Sequence, residues 1–77
     1  MVQAYILIQT HVGRSRDVSA ALATIDGVIE HAEVTGPYDV IGRLQTETVE
    51  KLGELVISRI QKVPGILRTT TCTVVSL

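Results

Sequence analysis

The chain of 77 residues contains no phenylalanine, no tryptophan and no asparagine, and it has two tyrosines and one cysteine. Each shortage closes off a class of protein. A single cysteine, Cys72, leaves no partner for an intrachain disulfide. His11, His31 and Cys72 lack the spacing of a zinc site, so no metal is expected. The near absence of aromatics removes the platforms on which nucleobases stack. Seven basic and eight acidic residues give a net charge of −1, spread along the chain without a basic patch. Direct binding to nucleic acid is therefore not expected. No apolar run reaches the roughly 20 residues of a membrane span. The sequence opens on an apolar stretch without the basic segment and cleavage site of a secretory leader, which points to the cytoplasm.

What the chain has instead is small aliphatic residues. Hydrophobic residues make up 45%, carried by 11 Val, 8 Ile, 7 Leu and 5 Ala. This length fits one domain, residues 1–77. A core of this size rarely supplies more than about 3–5 kcal/mol on its own. With disulfide and metal excluded, a partner chain is the expected stabiliser.

The hydropathy pattern reads as strand–helix–strand, twice. Residues 2–12 alternate as a strand, with Val2, Ala4, Ile6 and Ile8 on one face and Tyr5 and Leu7 on the other. Ser15 is a candidate cap for a helix whose apolar stripe is Val18, Ala21, Leu22 and Ile25. Asp26-Gly27 stops that helix. Residues 28–35 form a second strand, placing Val28, Ala32 and Val34 on one face and Ile29, His31, Glu33 and Thr35 on the other. A short Gly36-Pro37 connection leads to a third strand at 39–45, so the pair is an antiparallel hairpin. Thr46 can cap a second helix with the stripe Val49, Leu52, Val56, Ile60 and Val63, widened by Leu55. Pro64-Gly65 ends it, and residues 66–76 form the last strand. The segment Ile25-Asp26-Gly27-Val28-Ile29 matches Val63-Pro64-Gly65-Ile66-Leu67 at an offset of 38, a weak internal repeat.

The order βαββαβ predicts a ferredoxin-like α+β fold: a four-stranded antiparallel sheet with two helices on one face. The other face stays uncovered. Apolar residues on it, Tyr5 and Leu7 among them, predict a homodimer that packs sheet against sheet as a dimeric α/β barrel.

Catalytic patterns are missing. No Ser-His-Asp or Cys-His spacing, P-loop or dinucleotide fingerprint occurs, so no catalytic residue and no cofactor is assigned. Cys72 sits between threonines mid-strand and reads as a small buried hydrophobe. His31, beside Glu30 and Glu33, reads as a surface or interface histidine. The segment Val34-Thr35-Gly36-Pro37-Tyr38-Asp39-Val40-Ile41 is richer. Gly36 brings backbone N–H groups within reach of an anion, Asp39 accepts from an ammonium group, and Tyr38 walls a small pocket. Together they suit a zwitterion; the same residues also make an ordinary tight turn.

The whole chain resembles the effector domain of the Lrp/AsnC (feast/famine) family of transcriptional regulators, also called the RAM domain. The resemblance rests on Val34-Thr35-Gly36-Pro37-Tyr38-Asp39-Val40 and on Val63-Pro64-Gly65-Ile66-Leu67-Arg68-Thr69-Thr70-Thr71 before an apolar last strand. It implies an amino-acid effector bound between dimers beside the hairpin. It also implies sheet-to-sheet dimers that assemble further into octamers. Gly36, Tyr38 and Asp39 match the family's effector-loop motif, and Thr69 and Thr71 its threonine segment. Thr70 departs from it, standing where many members have Glu. No segment reads as a helix-turn-helix. The resemblance therefore implies a stand-alone effector-binding and oligomerisation module in transcriptional regulation, with a full-length family member as a partner by co-assembly. Two other readings stand beside it. One is a small dimeric α/β-barrel enzyme, monooxygenase- or isomerase-like, with His31 and Tyr5 as its polar residues. The other is an oligomerisation module without ligand.

Overall fold

Alternation of β-branched and small residues in Val2–Thr10 makes the first strand, β1, and it becomes the hub of the sheet. The structure is a computed structural model and describes residues 1–75. After β1 come helix α1 (Ser15–Leu22), strand β2 (Val28–Glu33), strand β3 (Val40–Thr46), helix α2 (Val49–Ser58), a 3₁₀ turn (Ile60–Lys62) and strand β4 (Ile66–Thr73). The sheet order is β2-β3-β1-β4, and every pairing is antiparallel. This is the ferredoxin-like α+β fold. Among the described residues no helix is long and apolar enough to cross a membrane. The sequence places the last strand at 66–76; β4 ends at Thr73, and residues 76 and 77 lie outside the described residues.

The core lies between the helices and one face of the sheet. Ala4, Ile6 and Ile8 of β1 and Val40 and Leu44 of β3 are fully buried there, as the alternation predicts. Val18 and Leu22 of α1 and Leu52, Leu55 and Val56 of α2 close over them, joined by Ile25 and Ile60. Gly42 belongs to this face too: a Cβ there would stand 3.1 Å from Ile6 Cγ2. Val49, predicted in the same stripe as Leu52, is 63% exposed.

Two β-bulges give the repeat at offset 38 a physical meaning. Val28 pairs with Leu44 but Glu30 with Arg43, so Ile29 is the extra residue. Likewise Ile66 pairs with Thr10 but Arg68 with Gln9, so Leu67 is extra. Each bulge follows a glycine in the left-handed region, Gly27 and Gly65, both at φ +99°. Their carbonyls accept from Gln45 N–H at 2.8 Å and His11 N–H at 2.9 Å, fastening each turn to a neighbouring strand. The first bulge reverses the predicted faces of β2. Val28 packs on the core, whereas His31 turns to the helices and Ala32, paired with Ile41, to the opposite face.

The caps differ from the sequence reading by one or two residues. Ser15 is the first residue of α1, not its cap: Arg14 occupies the cap position without a side-chain bond. The cap of α2 is Thr48, whose hydroxyl accepts from Lys51 N–H at 3.1 Å. Thr46 donates instead to the Thr48 carbonyl at 2.8 Å.

Candidate functional site

The β2–β3 hairpin is tied to the end of β1 by backbone and side chains together. Val34 N–H donates to the Asp39 carbonyl at 2.9 Å and closes the loop at its base. Asp39 N–H donates to the Ile8 carbonyl at 2.8 Å. The Asp39 carboxylate then turns to β1: its Oδ2 accepts from Thr10 N–H at 2.8 Å and from the Thr10 hydroxyl at 3.3 Å. Gln9 Nε2 donates to the Pro37 carbonyl at 3.0 Å and holds the tip. Gly36 sits at φ +132°, a conformation side chains disfavour, and open space surrounds the place a Cβ would take. Its glycine is required by backbone shape rather than by crowding. Asp39 and Tyr38 are half-buried, and Gly36 is exposed.

Thr69 and Thr71 lie across β1 from this hairpin. Val40 and Thr69 flank the same residue, Ile8, on its two sides, and Thr71 pairs with Ile6. Two strand spacings, roughly 10 Å, separate them from β3. Thr69 is half-buried; its hydroxyl accepts from Gln61 Nε2 at 3.2 Å. It lines a hollow of about 230 Å³ with Gln61, Ile66, Leu67 and Arg68. Thr71 is exposed. The five candidate residues thus form two groups, Gly36-Tyr38-Asp39 and Thr69-Thr71, with β1 between them. Thr70 pairs with Leu7, so the departure from the family pattern falls on the uncovered sheet face.

That uncovered face carries Tyr5, Leu7, Ala32, Ile41, Thr70 and Cys72, aligned by the strand register. Cys72 pairs with Tyr5 and is exposed, which corrects its reading as a buried hydrophobe. The expectation failed because alternation alone does not say which face of β4 the helices cover. Arg43 spans the middle of the face, donating to Gln3 Oε1 at 3.2 Å and to Glu30. A hollow of about 230 Å³ opens there, with Tyr5, Ala32, Val34 and Ile41 as its apolar walls and Glu30, His31 and Arg43 as its polar rim.

His31 is elsewhere. Its Nδ1 lies 2.9 Å from the hydroxyl of Ser19, a buried residue of α1. The His31 ring is thus held toward α1, although His31 and Tyr5 both border the hollow on the uncovered face. The contacts that sequence reasoning missed are those of Gln9, Thr10, Ser15 and Ser19. Ser15 donates to Glu33 at 3.0 Å, beside a wide hollow lined by Ser15, Glu33, Val34 and Thr35. Only the alternation that turns Ser19 and His31 toward a common layer could have hinted at them. The bulge at Ile29 hides that alternation.

With this geometry in place, the comparisons are specific. The family model of the Lrp/AsnC ligand binding domain matches residues 3–77. The HTH-type transcriptional regulator FL11 of Pyrococcus horikoshii is 31% identical over 68 residues, 88% of this chain and 44% of that protein. The chain thus spans less than half the length of the curated relatives it matches. The crystal structure of FFRP-DM1 is 35% identical with a TM-score of 0.92, covering 97% of this chain and 100% of that one. That of TTHA0845 from Thermus thermophilus is 31% identical with a TM-score of 0.93, covering 100% and 96%. Strand order, hairpin motif and full-length match agree, and the chain belongs to the family of Lrp/AsnC ligand binding domains.

Proposed function

We propose that this domain binds an amino-acid effector and couples its binding to oligomerisation in transcriptional regulation. The observation that carries the reading is the clamped hairpin. Gln9 and Thr10 hold Pro37 and Asp39 in place before any ligand arrives. A site fixed in advance spends less binding free energy on ordering itself. The backbone around Gly36 receives the effector's carboxylate. Asp39 Oδ2 is engaged by Thr10, which leaves Oδ1 to accept from the ammonium group. Tyr38 and a neighbouring subunit flank the effector's side chain, and Thr69 and Thr71 reach it from across the seam between dimers. Two proteins of like fold support the ligand class. NMB0573 of Neisseria meningitidis is a complex with L-methionine, at 16% identity and a TM-score of 0.86. The feast or famine regulatory protein of Mycobacterium tuberculosis is another, at 20% and 0.82.

The apolar sheet face supports dimerisation. Tyr5 is 45% exposed beside Leu7, Ile41 and Cys72, and packing a second sheet on them forms the dimeric α/β barrel. Ligand bound at a seam favours the assembly that completes the site. A full-length regulator of the family joins through the same surfaces. The catalytic reading draws no support, because Ser19 holds the His31 ring toward α1 and the matching family is one of ligand binding domains.

Calorimetry over the twenty amino acids tests the ligand. At least one binds, and Asp39→Asn weakens it about tenfold or more, because a charge-assisted bond to the ammonium group becomes a neutral one. Asn keeps an oxygen for Thr10 N–H, so the variant stays folded. Absence of binding across all twenty, or unchanged affinity in Asp39→Asn, would refute the proposal.

A further inference from the structure

Of the seven basic residues, three stand in ion pairs: Arg14 with Asp17, Arg43 with Glu30 and Lys51 with Glu47. Arg68 is exposed and has no such partner among the described residues. After Glu54 the sequence has no acidic residue, so β4 itself offers Arg68 no carboxylate. An arginine without a counter-charge is ordinary at a surface; Arg68 is set apart by its neighbours. It adjoins Thr69, and the two line one hollow with Gln61, Ile66 and Leu67. Its register partner is Gln9, the residue that holds the Pro37 carbonyl of the hairpin.

The hollow is about 230 Å³, and the only charge among its lining residues is that of Arg68. Gln61 Nε2 donates to the Thr69 hydroxyl, which keeps its own proton to donate. Ile66 and Leu67 supply alkyl walls. Arg59, which also lacks an ion pair, stands in a different setting: it shares its hollow with Asp26, Glu47 and Glu54. A carboxylate entering there meets repulsion, whereas one beside Arg68 meets none from the lining residues.

We infer that Arg68 selects the effector by its side chain, and that this domain prefers an amino acid whose side chain ends in a carboxylate. The inference rests on the proposed amino-acid site. There the α-ammonium group meets Asp39, the α-carboxylate meets the backbone around Gly36, and Thr69 reaches the effector from across the seam. Arg68 arrives with Thr69. A neutral side chain would leave the guanidinium enclosed without a counter-charge, which is costly. A side-chain carboxylate accepts two parallel N–H bonds from it, and its methylene groups lie along Ile66 and Leu67. The amide of the same shape has one acceptor oxygen and no charge.

Calorimetry with aspartate, glutamate, their amides and lysine tests this in wild type, Arg68→Gln and Arg68→Glu. Wild type binds aspartate or glutamate about tenfold or more tighter than the matching amide, as befits a charge-assisted, bidentate contact. Arg68→Gln loses that preference and keeps its affinity for the amide. Arg68→Glu binds lysine more tightly than glutamate, a gain that misfolding cannot produce. If wild type binds a neutral amino acid as tightly as an acidic one, or if Arg68→Gln keeps the full preference, the inference falls and the amino-acid site stands. If none of the twenty amino acids binds wild type, both fall.

Discussion

Asp39 has an architectural role beside the ligand role proposed for it. Its carboxylate stitches the hairpin to β1 through Thr10, a link between residues 29 apart that no local motif announces. The motif Gly-Pro-Tyr-Asp was legible in the sequence, and the zwitterion chemistry proposed for it rests on those residue types. The anchoring by Gln9 and Thr10 was not, because it depends on strand register. The glycines divide by a similar argument. Gly27 and Gly36 both have positive φ, but a Cβ on Gly27 would meet Leu55 Cδ2 at 2.8 Å, while one on Gly36 meets open space. Gly36→Ala is expected to cost about 1 kcal/mol, for backbone strain alone. Gly27→Ala is expected to cost about 2–3 kcal/mol, since overpacking adds to strain. Urea unfolding of the two variants measures the difference, and equal losses would show that crowding by Leu55 is immaterial.

Among the elements, legibility followed the regularity of the period. β1 and β3 keep strict alternation, and their buried sets, Ala4-Ile6-Ile8 and Val40-Leu44, are read directly from it. β2 breaks alternation at Ile29, so every later residue changes face and the predicted assignment of His31 and Ala32 reversed. For α2, the predicted stripe held at Leu52, Leu55, Val56 and Ile60 and failed at Val49, which lies at the edge of the buried arc in the first turn. The cap of α2 was misplaced because Thr46 and Thr48 both stand at its start, and that of α1 because the cap position falls on Arg14, which makes no capping bond. Thr48→Ala is expected to cost about 1 kcal/mol, because the Lys51 N–H loses its partner. Ser15→Ala, at an exposed hydroxyl outside the cap position, is expected to stay within about 0.5 kcal/mol. Thermal unfolding of the two variants checks the order, and the reverse order would contradict both cap assignments made from the structure.

The whole molecule returns to its missing aromatics. The buried hydrophobic core is built entirely of Ala, Val, Leu and Ile, on one side of a sheet whose other side holds exposed Tyr5 and Cys72 and half-buried Leu7 and Ile41. The composition foretold this shortage of core, and the uncovered face is where the proposed second chain packs. What one chain does not bring together, the hairpin on one flank of β1 and Thr69 and Thr71 on the other, assembly can unite with the same residues of neighbouring chains. The account therefore makes occupancy and assembly a single equilibrium. Sedimentation velocity with and without an amino-acid mixture reads that equilibrium most directly. The account predicts a shift in the distribution of oligomers on addition of the mixture, lost in Asp39→Asn; an identical distribution with and without amino acids would contradict it.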